Sequence, residues 1–582
     1  YLGYQHNVAF PLWGTIDTQM HRQSGYAYRD GVYEPREGPN PRALSQRLFV
    51  DKSGRRSGLN RTALMTWFGQ QLVEEVLDGQ RSGCPVEYHN IPIPACDPLF
   101  DPTCDGDKVI PFRRSRYDLE TGRGPGQPRN QINEITPWLD GNLFYGPGKA
   151  WTDAIRAHTG GRLASDDTGL YPSPNALGLP YANAHVPVDN TFKDARRFWR
   201  IGNPRGFENP ALASLHVLWH REHNYQADRL AGLHPHWSDE RIFIRARQWV
   251  IAIHQKIVFD EFVPAFTGLP LPPYAGHRNV HPGIAQEFQV AGMRFGHTLV
   301  PPGMWLRGAP TDNATCPFNV PSNYPGHSDR DTNTVSTLRT CNTYFNSVDI
   351  LHHVGMESVL RGAASQLTEL EDHHVTEDLR GFVFGPKELT RRDLMALNIQ
   401  RAREHGVPGF NTVRVAYGLE RYTVWENITT NATLVDALDD MYDSIEDVDL
   451  WVGGLLEGGV SGPGETFQAI LINQFTRIRD GDMWYYANLP NGLFDHYEFL
   501  AINNTKFSDV LRRNGVGPVQ DDVFFHTEGD VCAQPYQLDG DDRTHLNACS
   551  PPERYDWYEP STGHFQTLLI GVGVWVVLSA AS

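Results

Sequence analysis

Residues 294–303 read RFGHTLVPPG, and residues 393–411 read DLMALNIQRAREHGVPGFN. Val290, Met293 and His297 fall at helical spacing on one apolar face, and the Pro-Pro pair that follows ends the predicted helix. A neutral imidazole at the end of a buried helix binds iron well when its second nitrogen has a hydrogen-bond acceptor. Spacing alone favours a simpler interpretation, a histidine satisfied inside the core, because the chain has 24 histidines.

Composition limits the class of protein. The chain has 582 residues and a net charge of -18, with no basic block, which argues against nucleic acid as a partner. Its length would allow several domains, but no Gly/Ser linker, low-complexity tract or internal repeat marks a boundary. We therefore expect residues 1–560 to form one domain.

Hydrophobic periodicity predicts a mostly α fold. Helical spacing is strong over 61–78, 211–231, 239–267, 283–299, 345–371 and 464–479, with Pro- and Gly-rich text between these segments. Strand-like alternation is sparse and short. The pattern predicts a helical core with long loops and few short strands, in which the loops cover side chains that the helices supply.

The cysteines and glycosylation sequons indicate an extracellular chain. None of the seven cysteines forms a CxxC pair, so a zinc site is not expected, and their clustering is typical of local disulfides. Cys316 with Cys341, and Cys532 with Cys549, would each close a loop, although connectivity stays open and the odd count leaves one thiol. Five Asn-x-Ser/Thr sequons agree with secretion, at Asn60, Asn313, Asn427, Asn431 and Asn503.

The last segment, residues 568–582, is apolar and has no charge. A spanning helix needs about 20 apolar residues, so we interpret this segment as the start of a transmembrane helix that is cut short. A buried terminal helix or strand is the alternative. No signal peptide opens the sequence.

The two stretches that contain His297 and Asn398 resemble signatures of the animal haem peroxidases. In that family the histidine is the proximal ligand of the haem iron, a role that the resemblance implies for His297. The family's asparagine accepts a hydrogen bond from this imidazole and its arginine pairs with a haem propionate, which implies those roles for Asn398 and Arg401. A helix-capping amide and a surface salt bridge remain the alternatives for these two residues.

Residues 128–142 resemble the family's calcium loop. The resemblance implies that oxygens of Thr136, of the Trp138 backbone, of Asp140 and of Asn142 surround the ion, which suits a hard cation. In the family an aspartate beside the distal histidine completes the site, and Glu75 stands at that position here.

Residues 202–210 resemble the distal arginine segment of the family. The resemblance implies that Arg205 stabilises negative charge as the peroxide bond breaks, and that Glu208 forms an ester with the haem. Matches run from about residue 30 to 530, so the resemblance implies the haem-peroxidase fold, with haem b and calcium as cofactors.

The sequence departs from the family's pattern in the distal helix. Residues 68–75 read FGQQLVEE where the family has W-G-Q-x-x-D-H-D. Gln70 is kept, but Val73 replaces the second ester-forming residue and Glu74 replaces the distal histidine. General acid–base transfer typically contributes 10²–10⁴-fold, so this loss bears on activity. Glu74 either moves the proton in place of histidine or is an ordinary helix-surface glutamate.

The loss of the distal histidine, the stretch at residues 529–538 (GDVCAQPYQL) and the terminal apolar run together resemble a narrower group, the extracellular peroxidase-like domains of dual oxidases, especially invertebrate ones. The resemblance implies a domain on the extracellular face of the plasma membrane, attached through a C-terminal helix to a hydrogen-peroxide-forming NADPH oxidase. It would use hydrogen peroxide to oxidise phenols such as tyrosine, or small anions. The alternative is a haem-poor or catalytically silent module that supports folding, trafficking or regulation of the oxidase.

Overall fold

The structure is a computed structural model that describes residues 2–50, 56–79, 81–183, 185–186, 191–192, 194–309, 337–384 and 392–527. Most of the regular secondary structure in these residues is helical. The strands of the described residues form four short antiparallel pairs. The predicted fold class, mostly α with few short strands, is confirmed.

The described helices are α1 Pro41–Leu48, α2 Ala63–Val76, α3 Asn142–Tyr145, α4 Lys149–Ile155, α5 Pro210–Leu233, α6 Asp239–Ile257, α7 Val263–Thr267, α8 Gln286–Val290, α9 Ser347–Val354, α10 Met356–Ser365, α11 Glu377–Arg380, α12 Leu394–Glu404, α13 Phe410–Ala416, α14 Trp425–Ile428, α15 Ala432–Met441, α16 Leu450–Glu457, α17 Glu465–Gly481, α18 His496–Asn503 and α19 Phe507–Arg513. A π-helical turn covers Val258–Phe262, and 3-10 helices cover Ala195–Arg197, Gly292–Leu299, Thr340–Asn342, Ile445–Asp447 and Leu489–Asn491. The strand pairs are β1 Thr18–Gln19 with β4 Ile132–Asn133, β2 Ile91–Pro92 with β3 Val109–Ile110, β5 His185–Val186 with β6 Thr191–Phe192, and β7 Gly303–Trp305 with β8 Thr337–Arg339.

Side-chain caps define where two helices near the site begin. Asn209 accepts a hydrogen bond from the Leu212 N–H at 2.9 Å at the start of α5, and Pro210 is the first helical residue. Asp393 accepts one from the Met395 N–H at 2.9 Å at the start of α12. Each cap accepts from an N–H group that has no partner inside the helix. The local sequence therefore determines where α5 and α12 begin.

The helical periodicity is confirmed at α2, α5 and α17, whose ends lie within two residues of the predicted ones. The segment predicted over 239–267 contains α6, the π-helical turn and α7. The segment over 283–299 divides into α8 and a 3-10 helix because Ala291 leaves the helical region, with φ -140° and ψ -68°. The segment over 345–371 divides into α9 and α10 at Gly355, whose φ of 76° suits glycine.

Helix α2 runs through the main core. Phe68 on α2 is fully buried, and its ring centroid lies 5.1 to 5.3 Å from those of Phe262, Phe507 and Phe524. Burying one such side chain contributes roughly 1.5–3 kcal/mol. Helix α5 packs against α2, α6 and α10, so α2 and α5 are held side by side.

Local disulfide pairing is confirmed at Cys96–Cys104, and Cys84 is an exposed free thiol. Cys341 is disulfide-bonded, whereas Cys316, Cys532 and Cys549 lie outside the described residues. The two predicted pairs that involve these cysteines therefore stay predictions.

The apolar segment 568–582 also lies outside the described residues. Among the helices that the structure does describe, none combines the length and the hydropathy needed to cross a membrane.

Candidate functional site

His297 lies in the 3-10 helix Gly292–Leu299 and is half-buried. Its Nδ1 is 3.0 Å from the side-chain amide nitrogen of Asn398, which is fully buried on α12. The amide oxygen of Asn398 accepts a hydrogen bond from Arg294 at 2.5 Å. The structure thus brings the predicted pair together and adds Arg294 as a third member.

The orientation of the Asn398 amide determines which nitrogen of His297 is protonated. As placed, the amide nitrogen donates to Nδ1, so Nδ1 is the acceptor. A neutral ring that binds iron through Nε2 has its proton on Nδ1 and needs the amide oxygen there. A half-turn of the amide exchanges its oxygen and nitrogen without moving the rest of the side chain. The same half-turn would release Arg294 for another acceptor.

Burial lowers the pKa values of both His297 and Arg294. Desolvation, followed by the nearby Arg294, lowers the pKa of His297 to about 3, so the ring is neutral at physiological pH, as a metal ligand must be. Desolvation, followed by Arg401, lowers the pKa of Arg294 to about 9.

Arg294 has only neutral hydrogen-bond partners in the described part of the chain. Its Nε donates to the Gln289 carbonyl at 2.7 Å and its Nη1 donates to Asn398, and no carboxylate there lies within ion-pair distance of it. Arg294 is half-buried, and a half-buried guanidinium without an anionic partner favours binding of an anion such as a carboxylate.

Arg401 lies one turn after Asn398 on α12 but has other partners. Its Nη1 donates to Ser115 Oγ at 2.8 Å and to Glu404 at 3.0 Å, and its guanidinium stacks over Phe112 at 4.2 Å. Desolvation lowers the pKa of Arg401, while Glu404 opposes that shift. The predicted partnership of Arg401 with a propionate stays a prediction, and Arg294 is the second candidate for it.

Gln70 links α2 to the start of α5. Its amide nitrogen donates to Glu208 at 2.9 Å, and its oxygen accepts from the Asn209 amide at 2.8 Å. Desolvation, followed by the Glu74 carboxylate, raises the pKa of Glu208 to about 7. Glu208 is therefore partly protonated at neutral pH, and loss of its charge would be favoured.

Arg205 binds the C-terminal end of α2. Its Nη2 donates to the carbonyls of Glu74 at 3.1 Å and Leu77 at 3.0 Å, and Asp78 lies 4.0 Å away. Carbonyls at a helix C-terminus attract a cation. The structure places the Arg205 guanidinium beside the backbone of Glu74, and the roles predicted for these two residues stay predictions.

Glu74 is not a helix-surface glutamate, because it is only 5% exposed. Its Oε2 lies 3.6 Å from Nε2 of His216 on α5, which is 4% exposed. In the described structure both atoms are buried without a hydrogen-bond partner. A buried carboxylate and imidazole thus face each other at the position that the sequence resemblance assigns to the distal histidine.

The predicted calcium residues cluster around Glu75 at the end of α2. Its two oxygens accept from the backbone N–H groups of Gly141 and Leu143, both at 2.7 Å. Desolvation, followed by Asp140, raises the pKa of Glu75 well above its ordinary value.

The loop adds further oxygen donors to this cluster. Thr136 Oγ1 donates to Asp140 at 3.0 Å, and the Asn142 amide donates to the Glu75 carbonyl at 2.5 Å. Trp138, whose backbone oxygen was predicted as a ligand, is fully buried in the same loop. Two buried carboxylates, a hydroxyl and an amide form a donor set that a calcium ion fits.

Sequence reasoning missed Arg294 and His216. Arg294 precedes His297 by three residues, so the two share a helix face, and this spacing could have identified it. His216 lies in the apolar run LASLHVLW, where no local signal distinguishes it from a core histidine. Val73, at the missing ester position, is half-buried and packs against the core.

The family model described as animal haem peroxidase matches residues 1–524. This chain belongs to the animal haem peroxidase family. It is similar to the dual oxidase of Drosophila melanogaster, with 39% identity over 100% of this chain and 37% of that protein. It is also similar to dual oxidase 1 of Caenorhabditis elegans (37% identity, 98% and 38% covered) and of Homo sapiens (38% identity, 96% and 36% covered). The chain therefore spans less than two fifths of the length of these relatives.

Solved structures show the same fold. Peroxidase A from Dictyostelium discoideum superposes with a TM-score of 0.78 at 30% identity, covering 90% of this chain and 99% of that one. The fatty acid alpha-dioxygenase of Oryza sativa superposes with a TM-score of 0.69 at 17% identity, covering 90% and 85%, which supports the fold alone. The resemblance inferred from the sequence is confirmed.

Membership in this family implies haem binding, and the residues present fit haem. His297 offers a neutral imidazole, Arg294 offers a half-buried cation for a propionate, and Glu208 offers a carboxyl group for an ester. Val73 has no carboxyl group and so cannot form an ester.

Proposed function

We propose that this chain is the peroxidase domain of a dual-oxidase-type protein that reduces hydrogen peroxide with haem b. Phenols such as tyrosine, or small anions, would be the electron donors. An NADPH oxidase part elsewhere in the same protein would supply the peroxide. The observation that carries this proposal is the contact of His297 with Asn398, because it places a neutral imidazole against the side chain that the resemblance assigns to it.

Bound haem would supply the iron at which the O–O bond of peroxide breaks. His297 would bind the iron through Nε2, and the Asn398 oxygen would hold the Nδ1 proton after the amide half-turn. Arg401, or Arg294 as the second candidate, would pair with a propionate. Gln70 would orient the Glu208 carboxyl for a single ester bond to the haem.

On the peroxide side, Glu74 would receive a proton at its carboxylate and return it to the leaving oxygen. His216 lies 3.6 Å from this carboxylate and would hold it in place. Arg205, bonded to the carbonyls of Glu74 and Leu77, would stabilise the negative charge that develops.

The remaining features fit a secreted domain at a membrane. Calcium would lie among Glu75, Asp140, Thr136 and Asn142, where it would brace the end of α2 that bears Glu74. The sequons and the disulfide support the extracellular face of the plasma membrane. The domain boundaries of 1–560 and the membrane segment at 568–582 remain proposals.

Haem titration of the purified chain tests the proposal. A Soret band should develop to one haem per chain, and His297→Ala should remove or shift it. His236→Ala, which changes an exposed histidine, is the matched control and should leave the band unchanged. Circular dichroism confirms that each variant is folded. A band that His297→Ala does not alter would contradict the proposal.

The distal substitutions favour a second candidate function, a catalytically silent module that supports folding, trafficking or regulation of the oxidase. Val73 and Glu74 stand where the family has an ester-forming aspartate and a catalytic histidine. Peroxide-dependent tyrosine coupling by the haem-loaded chain, abolished by Arg205→Ala, would exclude this candidate. Absence of coupling in a fully haem-loaded chain would favour it.

A further inference from the structure

We propose that Asp372, His373 and His374 form a binding site for a divalent transition metal ion, for which Zn²⁺ and Cu²⁺ have the fitting chemistry. Each residue offers one ligand atom, and these atoms all lie within 4.8 Å of one another. No other group of three or more His, Cys, Asp or Glu side chains with this spacing occurs in the described residues. The proposed haem and calcium sites use none of the three residues.

The separations are close to those that a metal requires. Nδ1 of His374 lies 2.8 Å from Oδ2 of Asp372, and the ring centroids of His373 and His374 lie 4.0 Å apart at 35°. Metal–ligand bonds of about 2.0–2.2 Å place tetrahedral ligand atoms roughly 3.3 Å apart. The three ligand atoms, all within 4.8 Å of one another, would therefore have to move closer together by about 1 Å to bind one ion.

The backbone around the three residues is anchored on both sides. The Gly462 N–H donates to the Glu371 carbonyl at 3.1 Å, and the Val375 N–H donates to the Phe49 carbonyl at 3.0 Å. The Asp372 side chain is 4% exposed, and its Oδ1 accepts from the His374 N–H at 2.7 Å. An anchored loop loses little conformational entropy when it binds a ligand, so the site is largely preorganised.

The ligand set selects the class of ion. Two imidazole nitrogens and one carboxylate oxygen suit Zn²⁺ or Cu²⁺, whereas Ca²⁺ and Mg²⁺ prefer oxygen ligands alone. The neighbouring Glu371 is not a fourth ligand, because it accepts hydrogen bonds from Ser57 and the Gly58 N–H. His373 and His374 are half-buried, so an ion can enter from solvent and keep a bound water.

Zinc titration of the full, untagged chain tests the site. The protein is stripped with a chelator, supplied again with excess Ca²⁺, and titrated with Zn²⁺ against a competing fluorescent chelator. One ion per chain should bind, and His373→Gln and His374→Gln should each weaken binding at least tenfold. Electron paramagnetic resonance with one equivalent of Cu²⁺ should show coupling to two imidazole nitrogens.

Two controls separate this site from other histidines. The double variant His352→Gln/His353→Gln changes another adjacent pair, exposed on α9, and should bind Zn²⁺ as the wild type does. His297→Ala should also keep the affinity, which makes the result independent of the proposed haem function. The proposal is overturned if the wild type binds neither ion, or if the folded double variant His373→Gln/His374→Gln binds Zn²⁺ with wild-type affinity. Asp372 and His374 would then form only a local ion pair.

Discussion

Replacing Glu208 by glutamine should make the folded chain more stable at alkaline pH. Burial, followed by the Glu74 carboxylate, raises the pKa of Glu208 from 4.5 to about 7. One pKa unit corresponds to about 1.4 kcal/mol, so folding disfavours the ionised carboxyl by roughly 3 kcal/mol. This is an upper value, because Glu208 is only half-buried and water screens part of the effect.

The direction of the pH dependence follows from the raised pKa. Since the folded state holds this proton more tightly than the unfolded state, its stabilising contribution is complete below about pH 4.5 and is lost as pH rises through about 7. Glutamine is neutral throughout and still offers an oxygen to the Gln70 amide, which donates to Glu208 at 2.9 Å. After discounting for exposure, the stability of the variant relative to wild type should therefore grow by up to about 2 kcal/mol between about pH 5 and about pH 8.

Urea unfolding of the haem-free proteins at these two pH values measures this difference. Glu120→Gln is the matched control, because Glu120 is exposed, and its effect on the free energy of unfolding should be small at both pH values. If Glu208→Gln changes the free energy of unfolding equally at both pH values, burial does not raise this pKa and the argument is refuted.

Three further predictions concern the rest of the site. Asn398→Ala removes the partner of the His297 ring, so haem should leave 10–100-fold faster, as measured by transfer to apomyoglobin in a Glu208→Gln background, which has no carboxyl group to hold the haem through an ester. Glu75→Ala removes the acceptor of two loop N–H groups and should lower the free energy of unfolding in urea by roughly 2–4 kcal/mol, and Ca²⁺ should no longer raise the melting temperature. Glu74→Gln should slow the reaction of the haem-loaded chain with peroxide 10²–10⁴-fold in stopped-flow measurements.

Each of these predictions has an outcome that contradicts it. Haem loss unchanged by Asn398→Ala would mean that the ring is held by other contacts. Calcium stabilisation that survives Glu75→Ala would place the ion elsewhere. A wild-type rate in Glu74→Gln would show that Glu74 does not transfer the proton. Arg205 would then be the residue still proposed to act on peroxide, through stabilisation of negative charge.

Local sequence was sufficient to predict much of the fold and the family. The apolar periodicity of α2, α5 and α17 predicted their ends closely, because helices form from neighbouring residues and their caps lie beside them. The stretches around His297 and Asn398 indicated the family, and their contact follows from that resemblance. The Cys96–Cys104 disulfide also joins near neighbours, although no pairing could be chosen from spacing alone.

Only the tertiary structure showed which distant side chains meet. Packing of α2 against α5 places Glu74 beside His216, and α12 places Asn398 between His297 and Arg294. It also showed that Glu74 is buried, which the helical pattern left open. The physical reason is that these contacts join residues far apart in the chain, so their distances depend on how whole helices pack, whereas sequence patterns report only what neighbouring residues prefer.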